Sequence, residues 1–201
     1  MIACPKFFNF IIYLESKGSW KSLVAFDINE SQPDTNQLEL VEVIAQEDFE
    51  GEVFKAMQTQ LAHNGTNAYY LSDNSNFELI PVTDFPLATK KGDWIGVSLW
   101  AHMRKVEQFW DRYGAAHFNL ALIDERGVYR NTYRLSISSH LGNEQYSIWS
   151  AGAPDQWGEV KFFVKVKKWM NPDWKVVAFI DNYQGQRLFV DDFEMGLYRT
   201  K

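Results

Sequence analysis

Residues 158–168, GEVKFFVKVKK, set Val160, Phe162, Val164 and Val166 at every second position, with Lys161, Lys165 and Lys167 among the residues between. A period of two places one set of side chains on each face of a strand, and a helix cannot sort these residues that way. The same reading extends along the chain. LELVEVIA (38–45) alternates. DWIGVSLWAHM (93–103) is a long strand with Ile95, Val97, Leu99 and Ala101 on one face and Trp94 and Trp100 on the other. HFNLALIDERGVYRNTYRLSI (117–137) reads as two strands around the turn DERG, and WKVVAFIDNYQGQRLFVDDFEMGLY (174–198) as a hairpin around NYQGQ. NAYYLSD and FELIPVT are short strands separated by the turn DNSN. The one helix candidate is 52–62, EVFKAMQTQLA, a turn or two in length, with a loop as the alternative. The crossover helices of a parallel α/β sheet are missing, so the expected class is all-β, an antiparallel β-sandwich of jelly-roll type.

The polar stretch DINESQPDTNQ (27–37), with Pro33 and no periodicity, reads as a linker. It divides an N-terminal extension or strand appendage, residues 1–37, from a sandwich domain at 38–201, which is a comfortable single-domain length. The apolar run FFNFIIYL (7–14) is too short to span a bilayer. It has no small-residue cleavage site behind it, so it reads as a strand rather than a signal peptide. MIAC at the start looks like the end of a lipoprotein processing box without its hydrophobic stretch, although a plain cysteine is the simpler reading. Cys4, the single cysteine, excludes an internal disulfide and a cysteine-rich zinc site. The net charge of −6 leaves no basic field for a phosphate backbone, which argues against nucleic acid as a partner.

Five segments in fixed order carry a resemblance: EDFE (47–50), HNGTNAYYL (63–71), IGVSLWAHM (95–103), QWGEVKFFV (156–164) and FVDDFEMGLY (189–198). Together they resemble the galactose-binding-domain-like jelly rolls that supply many bacterial carbohydrate-binding modules. The resemblance implies neighbouring first and last strands, a packed Trp157, and a noncatalytic carbohydrate-binding module of a secreted or cell-surface protein. It also bears on the acids of EDFE and on the adjacent Asp191 and Asp192. Carboxylates gathered at the closing strands need compensation. Calcium, a cation that prefers oxygen ligands, could be held by Asp191 with Glu47, Asp48 or Glu50 and by the turn at Asn64 and Thr66. The alternative is that these acids accept hydrogen bonds from turn amides or pair with a nearby Arg187 or Lys. Simple alternation would set Phe189, Asp191, Phe193 and Met195 on one face, and Val190, Asp192 and Glu194 on the other.

Sugar recognition needs a flat aromatic ring against the apolar face of a pyranose, with polar groups reaching its hydroxyls. With eight Trp and nine Tyr, candidates are plentiful. Trp94 and Trp100 share a strand face, with Arg104 nearby in sequence; Tyr146 and Trp149 lie in a Gly/Pro-rich loop, and Trp169 and Trp174 in another. The chain has no G-x-S-x-G, no H-E-x-x-H and no phosphate-cradling glycine loop, so binding is expected rather than catalysis. Two other functions are open from the residues. One is a protein–protein module of an extracellular or outer-membrane assembly, using the same aromatics as anchors. The other is a polysaccharide lyase or glycoside hydrolase, for which WAHMRK (100–105) and YRNTYRLSI (129–137) supply a His, Tyr residues and cations; nothing in the spacing brings His102 and His117 together.

Overall fold

A computed structural model describes residues 11–16, 19–27, 32–51, 58–59, 61–71, 75–86, 88–103, 116–137, 157–182, 185 and 187–201. Thirteen strands lie among the described residues, with one turn of 3₁₀ helix at Thr35–Gln37 that Asp34 caps. The strands are β1 Ile11–Ser16, β2 Ser19–Asp27, β3 Leu38–Glu47, β4 Gln58–Thr59, β5 Ala68–Leu71, β6 Ser75–Glu78, β7 Thr83–Asp84, β8 Trp94–Met103, β9 His117–Ile123, β10 Tyr129–Ser136, β11 Trp157–Lys165, β12 Lys175–Asn182 and β13 Leu188–Thr200.

They form two sheets. One runs β1-β2-β10-β9-β12-β6 with β7 also on β12; the other runs β11-β8-β13-β5-β4 with β3 also on β13. All pairings are antiparallel except β2 beside β10. The core lies between the sheets. Phe118 on β9 meets Phe162 on β11 and Phe193 on β13, with ring centroids 5.3 and 6.2 Å apart. Ile95, Val97, Leu99, Ala101, Val160, Phe162 and Val164 all enter this core, as their alternation predicts. The fold is an antiparallel β-sandwich of jelly-roll type. β1 and β2 pair as a hairpin, and β2 carries it to β10 at the edge of the first sheet.

Three local expectations fail. The segment 174–198 is not a hairpin: β12 pairs with β9, β6 and β7, whereas β13 pairs with β8, β5 and β3, so the connection passes from one sheet to the other. Both strands bury an apolar row, and facing those rows across a common core serves both where a flat hairpin would not. Gln58 and Thr59, from the helix candidate, pair with β5 instead; residues 52–57 and 60 of that candidate lie outside the described residues.

The third failure concerns β13. Asp191 stands opposite Trp100 and Glu194 opposite Ser98, so Asp192 and Phe193 together oppose only Leu99. Such a bulge inserts one residue and reverses the alternation after it. Asp192 adopts φ of +46°, a conformation that Asp tolerates better than most residues. Val190, Phe193 and Met195 therefore all enter the core, and Phe189 turns outward to stack on Tyr70 at 4.7 Å. The bulge is also where β13 exchanges its neighbour, from β5 through Val190 to β3 from Phe193 onward.

Candidate functional site

The acids of EDFE work locally first. Glu47 accepts the N–H of Phe49 and Asp48 that of Glu50, folding the chain back at the end of β3. That turn holds Phe49 at φ of +55° and sinks its ring completely, 6.0 Å from Tyr69. Glu50 then reaches the turn before β5. It accepts the backbone N–H groups of Thr66 and Asn67 at 2.7 and 2.8 Å, the Thr66 hydroxyl at 2.6 Å and the Asn67 amide at 3.0 Å. These bonds, led by the Thr66 hydroxyl, hold its carboxyl down at about 2. A glycine is required beside it: Gly65 has φ of +67°, and a Cβ there would collide with Glu50 Oε1.

Asp191, fully buried, fastens the other side of the same turn. Its Oδ2 accepts the N–H of His63 at 2.8 Å and of Asn64 at 3.3 Å, and its Oδ1 that of Asp192 at 2.9 Å. Burial outweighs these bonds and pushes its carboxyl upward. Asp192 reaches His63 Nδ1 at 2.7 Å. The oxygens of Glu50 and Asp191 thus meet N–H and O–H donors of the 63–67 turn, and Arg187 is no part of these contacts. Among the described residues no three His, Cys, Asp or Glu form a group that could hold a metal.

This turn also closes over a predicted platform. His63 lies flat on Trp100, with centroids 3.7 Å apart and 12° between planes, and meets the edge of Trp157 at 5.7 Å. His102 completes the row, 5.4 Å from Trp157 and 5.8 Å from Phe189. Trp157 is thus packed, but on the outward face of its sheet rather than in the sandwich core. Trp94 is buried beside Leu38 and Phe163, with the Lys165 ammonium 5.1 Å from its ring. Neither Trp94 nor Trp100 is an open ring. Trp174 is half-buried against the core, and Trp169, 6.1 Å from it, remains 48% exposed at the turn between β11 and β12. In that turn Asn171 reaches Glu125 of the β9–β10 turn at 3.5 Å. Arg104, Tyr146 and Trp149 lie outside the described residues.

A further group escaped the sequence reading. On the first sheet, Phe118, Leu120 and Leu122 of β9 face the core, as do Val176, Ala178 and Ile180 of β12 and Tyr133 and Leu135 of β10. The intervening residues point the other way and are buried too. Ala121, Ile123, Val177 and Phe179, with Tyr129, form an apolar half of that face. Thr132, Arg134, Asn119, His117 and Asp181 form a polar half, with Asp181 directly across from His117 and Arg134 from Asn119. Asp181 is 6% exposed and its Oδ1 has no hydrogen-bond partner among the described residues; the Thr132 hydroxyl, fully buried, has none among them either. Desolvation raises the Asp181 carboxyl to about 7 against the pull of Arg134. His117 and His102 occupy outward faces of different sheets and do not meet.

No family model and no curated protein matches the chain. Among solved structures it is similar to the CBM22-1 xylan-binding domain of Paenibacillus barcinonensis Xyn10C. The identity is 10% and the TM-score 0.43, over 77% of this chain and 94% of that one. It is similar to the enzymatically active domain of tailspike protein 4 from bacteriophage CBA120, at 10% identity and a TM-score of 0.42, covering 82% of this chain but 20% of that one. It is similar to Family 16 Carbohydrate Binding Module-2, at 11% identity and a TM-score of 0.38, over 69% of this chain and 82% of that one. At these scores the likenesses carry no argument about ligand or activity, and the two-sheet architecture rests on the strand pairings of this chain.

Proposed function

We propose that this chain is a noncatalytic carbohydrate-binding module, and that the face of the first sheet bearing Arg134, Asn119, His117 and Asp181 receives a neutral or weakly charged glycan. The observation that carries the reading is the buried Asp181 carboxylate, one oxygen of which has no partner among the described residues. A buried polar atom left unpaired is costly, and a sugar hydroxyl, which both donates and accepts, answers that cost. Tyr129, half-buried beside the polar row, is the ring of this group that meets the C–H face of a pyranose. A panel of polysaccharides tested by affinity electrophoresis decides the matter: retardation by one or more glycans, without release of shortened products, supports noncatalytic binding. A blank panel removes the reading, and product release makes the chain an enzyme. A cell-surface or secreted location belongs to this proposal, since polysaccharides lie there; no helix of the described residues is long and apolar enough to cross a membrane.

A second reading, a protein-binding module in an extracellular assembly, is favoured by the exposed ring of Trp169 at a loop tip. Trp169→Ala that leaves glycan retardation intact but abolishes retention of a partner subunit supports it. A calcium ion at the closing strands is a separate proposal. It is supported by the carboxylates of Glu47, Asp48, Glu50 and Asp191 and not by the bonds that Glu50 and Asp191 make. Melting with calcium against melting with a chelator tests it, because an ion bound only by the folded form raises the midpoint.

A further inference from the structure

A strand at a sheet edge carries unpaired N–H and C=O groups that invite another strand, and proteins commonly blunt such edges. The second sheet has two long strands with an open side: β11 pairs only with β8 and β3 only with β13 among the described residues. They are finished differently. On β11 the Gln32 side chain substitutes for a neighbouring strand: Phe163 N–H donates to Gln32 Oε1 at 2.8 Å, and Gln32 Nε2 donates to Phe163 O at 3.3 Å. Exposed Lys161 and Lys165 stand on either side of that plug.

β3 has no such plug among the described residues. Leu40, Val41 and Val43 are 47, 36 and 45% exposed, and Glu39, Glu42 and Gln46 are exposed with them. The register shifts twice along β13, which leaves Val41 and Ile44 as extra residues on β3; Ile44 packs against the core, whereas Leu40, Val41 and Val43 stay outside it. The edge is therefore apolar and acidic at once.

We propose that the free edge of β3 takes up, as an added strand, an extended segment of a different protein in which apolar residues alternate with Lys or Arg. Main-chain hydrogen bonds bind such a segment, its apolar side chains cover Leu40, Val41 and Val43, and its cations face Glu39 and Glu42. A second copy does not fit. Pairing β3 antiparallel with itself brings the Glu39 and Glu42 carboxylates of two molecules close together, and like charges across strands are destabilising. The β11 edge of a second copy has the right lysines, but Gln32 already occupies it.

The test uses the full chain and a labelled synthetic peptide that matches the ten residues of β3 in length and alternates Val with Lys. Fluorescence anisotropy is expected to show binding about tenfold or more tighter than for the same peptide with Glu in place of Lys. Binding is lost on N-methylation of alternate amides and weakens about tenfold with Glu42→Lys, whose exposed position leaves the circular dichroism unchanged. Equal binding of the Lys and Glu peptides, or binding that survives N-methylation, overturns the proposal. So does self-association of the wild-type chain that Glu42→Lys abolishes, because the occupant would then be a second copy.

Discussion

Glu50 accepts both the backbone N–H and the hydroxyl of Thr66, sixteen residues away, at 2.7 and 2.6 Å. One carboxylate thereby ties the end of β3 to the turn that leads into β5. Its folded value, about 2, lies below its ordinary 4.5, so its stabilisation is present above pH 4.5 and lost as pH falls toward 2. Glu50→Gln is expected to lower the melting temperature at neutral pH and to converge with the wild type near pH 2. Gly65→Ala, which crowds the same carboxylate, is expected to lower it at neutral pH as well.

Phe49→Ala empties a fully buried site against Tyr69 and is expected to cost about 3–5 kcal/mol in denaturant unfolding. A loss below about 1 kcal/mol would mean that the turn at Asp48–Glu50 does not depend on its plug.

Arg199 clamps Asp93 with two bonds, Nε to Oδ1 at 2.9 Å and Nη2 to Oδ2 at 2.8 Å, and also donates to Ala88 O at 3.2 Å. The guanidinium holds the buried Asp93 carboxyl below its usual range. Arg199→Met is expected to lower the melting temperature by several degrees, and Arg199→Lys to recover only part of that, because an ammonium cannot form the paired fork.

Where a strand keeps strict alternation, the sequence was enough. Ile95, Val97, Leu99 and Ala101 face the core opposite Trp94 and Trp100, because nothing interrupts the pleat of β8. The closing strand defeated the same logic. The bulge at Asp192 has no sequence signature beyond the second aspartate, and it moved Phe193 and Met195 to the face of Val190. The acids of EDFE were legible as a charge problem, but the donors at Thr66 and Asn67 emerge only when the turn docks. The polar row of the first sheet was invisible for another reason. β9 and β12 are buried on both faces, so Asn119, His117 and Asp181 look like interruptions of apolar strands rather than one cluster drawn from separate strands.

Asp181 also predicts a pH dependence. Its folded carboxyl, at about 7, lies above the ordinary 3.8. The native state therefore holds the proton more tightly, and this group's contribution to stability falls as pH rises from 3.8 to about 7. Asp181→Asn mimics the protonated form. It is expected to melt higher than the wild type at pH about 8 and nearly equally with it near pH 4, a sign that follows from the raised value.

The central claim is that the Asp181 face binds a glycan, and titration calorimetry with a retained polysaccharide tests it most directly. The wild type is expected to bind with a dissociation constant between tens of micromolar and millimolar, roughly −4 to −7 kcal/mol. Asp181→Ala and Asn119→Ala, with folding verified by circular dichroism, are expected to weaken binding about tenfold or more. Trp169→Ala is expected to leave it within about twofold. Unchanged affinity in folded Asp181→Ala and Asn119→Ala, with binding lost in Trp169→Ala, would contradict the assignment and move the site to the loop tip.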